Sequence, residues 1–230
     1  MAEQKERGLS AEEAGLLERI QQDSSVLDEL AEDLSARTRR KRQLAACVFS
    51  LAGQREPAAL TPYVPALVDA LDLSEAQTRW EVLDALTSLV PVCPQELSEA
   101  YEGAEDALFD EDSATLRFSA FRFFTAWGAT SKERSLKAWP LIDEAIQCFH
   151  GDLEYRDMLV CLHDFASSKI DDTVAAELAG RIKFDAEHGK GAFIKARSAE
   201  IYDLLLESFK LDAPKKRART VTSADTDDEE

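Results

Sequence analysis

The sequence predicts an all-α protein, a solenoid of about five antiparallel helical hairpins closed by a leading helix, and three observations predict it. Glycine and proline are scarce, 9 and 7 in 230 residues, while alanine, leucine and glutamate abound, which argues for helices rather than many tight β-turns. Apolar residues recur at one-face helical spacing. That pattern itself recurs at a constant step of 38 residues, counted from Lys41 to Arg79, Arg117 and Tyr155.

The elements follow in chain order. Residues 1–22 supply the leading helix, LSAEEAGLLERI, in which Ser10 and Glu13 have the spacing of a capping box. It would cover the exposed apolar end of the array, as terminal units must. Residues 23–210 form the repeat domain. The first helices of the hairpins carry Val26, Leu27, Leu30 and Leu34, then Val64, Leu67, Val68 and Leu71. The third is weaker, with Ala104, Ala107 and Leu108, and the fourth carries Ile142, Ala145, Ile146 and Phe149. The second helices carry Leu44, Ala45, Val48 and Leu51, then Val82, Leu83, Leu86 and Leu89. They continue with Ala120, Phe121, Phe124 and Trp127, and with Met158, Leu159, Leu162 and Phe165. Links marked by Pro or Gly separate the units at 53–62, 90–96 and 128–140. Residues 172–187 and 192–209 read as a fifth, less regular pair broken by HGKG. Residues 211–230 hold almost nothing to bury and read as a disordered tail, basic and then acidic.

The units resemble HEAT repeats, and the resemblance rests on PALVDALDLSEAQTRWEVLDALTSL (65–89) and AEDALFDEDSATLRFSAFRFFTAW (104–127). It implies a right-handed α-solenoid whose second helices line a concave face where partners dock. It also implies a turn carboxylate paired with an arginine of the second helix: Asp72 with Arg79, and Asp110 with Arg117. Lys41 stands for that arginine in the first unit, and Arg156 falls one place past it in the fourth. A second, more distant likeness lies in FIKARSAEIYDLL (193–205), which resembles the last helices of HEAT-like DNA-alkylation-repair glycosylases. That family implies a basic concave face bearing aromatic and carboxylate residues, and hence an alternative role acting on nucleic acid.

Charge weighs against the alternative. The chain carries a net charge of −18, and residues 1–210 alone hold −16, so the acidity belongs to the folded body. Such a body repels phosphate backbones unless its cations gather on one face. No apolar stretch approaches a membrane span, the N-terminus lacks a secretory core, and Cys47, Cys93, Cys148 and Cys161 include no C-x-x-C. A reduced, cytoplasmic protein is expected, or a nuclear one in a eukaryote if Lys215, Lys216, Arg217 and Arg219 act as an import signal. Thr222 and Thr226, each with an acidic residue three places on, suit an acid-directed kinase.

No motif for catalysis, a metal or a cofactor emerges. Asp110, Glu111 and Asp112 lack the glycine and further ligands of a calcium loop, and read instead as charges complementing a helix N-terminus, with Asp112 or Ser113 as its cap. The pairs Cys148/His150 and Cys161/His163 place their members on different sides of a helix. What remains is an interaction surface. Arg39, Arg40 and Arg42, in the run 37–42, are too many charges to satisfy internally, and Phe118, Arg122 and Phe123 fall off the core stripe. These six are the expected contacts to a protein or peptide partner of a monomeric scaffold.

Overall fold

The computed structural model describes residues 8–211. Eleven α-helices run through them: α1 Ala11–Gln22, α2 Val26–Leu34, α3 Arg39–Arg55, α4 Val64–Asp69, α5 Ala76–Leu89, α6 Tyr101–Leu108, α7 Ala114–Gly128, α8 Lys132–Phe149, α9 Tyr155–Ala166, α10 Asp172–His188 and α11 Ala192–Phe209. No strand occurs among the described residues. Short 3-10 segments at Pro57–Tyr63, Ala70–Asp72 and Glu96–Ala100 extend the weaker first helices. The chain is an all-α solenoid in which α2/α3, α4/α5, α6/α7 and α10/α11 pack as successive hairpins, whereas α8, which leads into α9, packs mainly on α7 and only lightly on α9.

Its core follows from the register. Of the second-helix residues on the repeating stripe, all are buried except Leu44 and Leu51, which lie half-buried against the core. The second helices pack in a row, α3 on α5, α5 on α7, α7 on α9 and α9 on α11. Buried apolar side chains therefore form one continuous seam, in which each valine, leucine, isoleucine, phenylalanine or methionine stabilises by about 1.5–3 kcal/mol. The aromatic part is densest around α6 and α7, where Tyr101 meets Phe124 edge-on at 5.3 Å between ring centroids. The Trp127 indole N–H donates to the Pro94 carbonyl at 2.8 Å, tying this helix to the preceding link.

Helix ends explain several boundaries. At α1 both capping-box bonds form: the Ser10 amide donates to Glu13 Oε2 at 2.8 Å, and the Glu13 amide donates to Ser10 Oγ at 3.2 Å. Ser113 caps α7 by accepting from the Leu116 amide at 3.2 Å. Asp110 accepts from the amides of Asp112 and Ser113, at 3.1 and 2.8 Å, so the acidic turn is a helix entry. Gly191, with φ +92°, makes the bend that no L side chain adopts readily between α10 and α11.

One link is shorter than its sequence suggests. The expected break at 128–140 is a turn of only a few residues, because Ser131 caps α8 and the helix then continues through Pro140. Pro140 is exposed, as is Leu136 one turn earlier. The carbonyl left without its proline donor can thus be hydrated, while Trp139, Leu141 and Ile142 stay buried. The expected tail, with its import-type run and Thr222 and Thr226, lies outside the described residues apart from Leu211.

Candidate partner-binding face

Early in α3, α5 and α7 stands an arginine whose carboxylate partner belongs to the next unit. Arg42 pairs with Glu75, Arg79 Nη1 lies 3.7 Å from Asp110 Oδ2, and Arg117 Nη2 lies 2.7 Å from Glu154 Oε1. The resemblance implied Asp72–Arg79 and Asp110–Arg117, and both are corrected here. Arg117 does touch its own turn, but through the backbone carbonyl of Asp110, to which it donates at 2.9 Å. In the first unit Arg42, not Lys41, fills the arginine position, and Lys41 turns back to Asp33 at 2.9 Å. In the fourth, Arg156 lies over the Phe193 ring, 4.6 Å from its centroid.

The residues expected to contact a partner therefore separate. Arg42 is built into the edge: its head also donates to the Ala36 carbonyl, and the bond it gives Glu75 holds that carboxyl below its ordinary value against the opposing effect of burial. Arg39 and Arg40 are exposed, and Arg40, whose side chain is 84% exposed, has only a surface pair with Glu12 at 2.9 Å. Phe123 is 1% exposed and packs edge-on against Phe124 at 5.6 Å. It stands about 60° round the helix from Ala120, and the way α7 seats among its neighbours takes it into the core.

Phe118 and Arg122 occupy the place that matters most. The row of second helices is hollowed twice. One hollow of about 500 Å³ is bounded by α3, α5 and α7, with Ser50, Gln54, Trp80, Glu81, Asp84 and Thr115 among its lining residues. The other, of about 330 Å³, lies between α7 and α9 and is lined by Ala126, Asp157, Val160, Cys161, Asp164 and Phe165 among others. Phe118 and Arg122 line both, and so form the wall between them.

Electrostatics fixes that wall. Arg122 Nη2 lies 2.6 Å from Asp84 Oδ1, bridging α7 back to α5. Burial pushes the Asp84 carboxyl above its ordinary value, while the Arg122 charge and a hydrogen bond from Ser119 pull it back. Burial also drives the Cys161 thiol up to about 12, so it is no ready nucleophile. His150, one of the expected C-x-H histidines, is held by Asp185 at 2.9 Å, and the Tyr155 hydroxyl donates to that same carboxylate at 2.7 Å.

Trp80, Asp84, Asp157 and Asp164 belong to this face and were not singled out from sequence. A signal was present for the first two. Trp80, Phe118 and Arg156 each stand one place after the repeat's register residue, and Asp84, Arg122 and Val160 stand four further on. The stripe beside the core stripe thus repeats at the same 38-residue step.

No protein-family model matches the chain, and no curated protein matches it. Solved structures do. A designed armadillo repeat protein in complex with the peptide (KR)4 is 10% identical, with a TM-score of 0.67 over 82% of this chain and 85% of that one. A computationally designed armadillo repeat protein for modular peptide recognition is 12% identical, with a TM-score of 0.67 over 84% and 90%. The archaeal HEAT-like repeats protein from Thermococcus onnurineus NA1 is 12% identical, with a TM-score of 0.53 over 87% and 94%. At these identities the likeness establishes the fold, a HEAT- or armadillo-like helical repeat.

Proposed function

We propose that this chain is a non-enzymatic interaction scaffold that holds a protein or peptide partner along the face of its second helices. The carrying observation is the pair of adjoining hollows on α3, α5, α7 and α9, walled by the same Phe118 and Arg122. Concave sites with apolar walls and a few placed polar groups are where ligands bind. Architecture adds support, since designed armadillo repeat proteins of like fold are made for peptide recognition. Panning a displayed peptide library against the chain tests the reading. Enriched peptides should lose binding in Phe118→Ala and keep it in Phe184→Ala, an exposed residue of α10. Binders indifferent to Phe118, or none at all, would overturn it.

One observation favours a second reading, action on nucleic acid. Trp80 and the Asp84–Arg122 pair share a hollow, so an aromatic and a paired carboxylate do stand together on this face. The charge is of the wrong sign, however: Glu13, Glu81 and Asp84 line that hollow against Arg55 and Arg122, and Asp157 and Asp164 line the next. Tight duplex DNA binding near physiological salt, with a steep salt slope, would favour this second reading over the scaffold.

A further inference from the structure

We propose that the hollow between α7 and α9 receives the side chain of a lysine or arginine, presented by an extended basic segment of a protein partner. The inference rests on the scaffold reading and names the chemistry its face selects.

The hollow combines two surfaces that only such a side chain satisfies together. Its walls are apolar, from Phe118, Ala126, Ala129, Val160 and Phe165. Its charged lining residues are Arg122, Asp157 and Asp164. Arg122 is already neutralised by Asp84 at 2.6 Å, which leaves the two aspartates. Asp157 has no ion pair among the described residues, and Asp164, its side chain 81% exposed, meets only the imidazole of its own helix neighbour His163, at 3.6 Å, in the ion pairs of the described residues. Lysine and arginine lay a methylene stem along apolar surface while keeping the charged head in a polar rim. The Phe118 ring adds a face on which a cation is attracted. An aliphatic side chain would cover the walls and bury the carboxylates without a partner, and an acidic one would be repelled.

Spacing extends the argument to the segment. Packed helix axes lie about 8–10 Å apart. A polyproline II segment rises about 3.1 Å per residue with three residues per turn, so its residues i and i+3 fall on one side about 9 Å apart. A residue three positions from the one in the α7/α9 hollow therefore falls over the neighbouring hollow, where it meets Trp80.

The test uses the full chain and a fluorescein-labelled octapeptide of alternating lysine and arginine, with alternating aspartate–glutamate and glycine–serine octapeptides as controls. Fluorescence anisotropy near physiological salt should show micromolar binding of the basic peptide alone. Asp157→Asn with Asp164→Asn should weaken it about tenfold or more, as loss of two charge-assisted contacts requires. Glu133→Gln with Glu144→Gln makes the same charge change on exposed positions of α8 and should alter affinity by less than about twofold. Equal losses in the two double variants would mean diffuse attraction and overturn the site. A basic peptide that fails to bind overturns it too. Library peptides that are not basic yet depend on Phe118 would overturn this inference and leave the scaffold reading standing. If duplex DNA displaces the peptide, both fall. If Lys216→Glu with Arg217→Glu tightens peptide binding about tenfold, the occupant is the chain's own basic run, and the assignment to a partner protein is overturned.

Discussion

Arg117 and Arg122 stand five residues apart on α7, and each meets a carboxylate of an adjacent unit, but in opposite directions. Arg117 reaches forward to Glu154, with 14% and 12% of the two side chains exposed. Arg122 reaches back to Asp84 from a wall between two hollows, and 34% of its side chain is exposed. The first pair belongs to an edge where Arg42, Arg79 and Arg117 all pair forward, so its charge is consumed in stacking one unit on the next. The second belongs to a face where carboxylates outnumber cations. On a solenoid, residue type alone does not separate structure from recognition; position within the turn of the helix does.

The largest expected effect breaks the comparison at its core side. Phe123→Ala should destabilise the chain by about 3–5 kcal/mol, the cost of truncating a fully buried phenylalanine, read from the urea midpoint at unchanged slope. Peptide affinity of the folded fraction should stay unchanged. A small stability loss with lost binding would return Phe123 to the face.

Next comes the edge. Arg117→Ala strands Glu154 and the Asp110 carbonyl in a half-buried site and should cost about 2–3 kcal/mol. Arg122→Ala, at a wetter site, should cost about 1 kcal/mol. A double-mutant cycle of Arg117 with Glu154 should recover most of the first loss as coupling. Equal costs at the two arginines would erase the distinction between edge and face.

Why the fold was legible and the face only partly so follows from what each depends on. The core stripe is a matter of residue type at helical spacing, and Val82, Leu83, Leu86 and Leu89 announce it whatever their neighbours do. Pairing depends on which unit a side chain leans toward. Asp110 and Arg117 look like partners within one unit, yet the stack offers Arg117 a nearer carboxylate, Glu154, 37 residues away in the chain. Pro140 misled for a related reason: its cost depends on whether the orphaned carbonyl faces water, which sequence does not state. Phe118 and Phe123 were indistinguishable as off-stripe aromatics, and only the rotation of α7 against α5 and α9 buries one and leaves the other at the wall.

Titration sharpens the comparison further, because the two sites carry opposite signs. Glu75 is held below its ordinary value by Arg42, so its contribution to stability is present above the unfolded carboxylate range and is lost as pH falls through the depressed value. Asp84 is held above its ordinary value by burial, so its folded form binds the proton more tightly. Its contribution is present below the unfolded value near 3.8 and is lost as pH rises through the raised one. Asp84→Asn should therefore gain on the wild type between acid and neutral pH, whereas Arg42→Gln should lose on it over the same range. Thermal melts at stepped pH would read both, and slopes of the same sign would overturn the assignment of edge and face.

The smallest effect divides a run that looks uniform in sequence. Arg39, Arg40, Lys41 and Arg42 open α3 together, yet only Arg42 is itself closed off, 15% exposed against an 11% exposed Glu75, whereas Lys41 meets Asp33 from an exposed position. Arg39→Glu with Arg40→Glu removes the surface pair with Glu12 and should move stability by less than about 0.5 kcal/mol, since exposed pairs contribute little. The reversal should not touch the α7/α9 hollow, whose lining residues lie on α7, α9 and the turns just after them. It does add four units of negative charge, and a long-range attraction for a basic octapeptide should rise slightly and fade with added salt. If the pair reversal instead destabilises the chain by several kcal/mol, as loss of the half-buried Arg42–Glu75 pair should, the whole run is part of the stacking edge, and the edge extends over the turn before α3. If it abolishes peptide binding, recognition begins on that edge, and the division between a closed edge and an open face fails at its first unit.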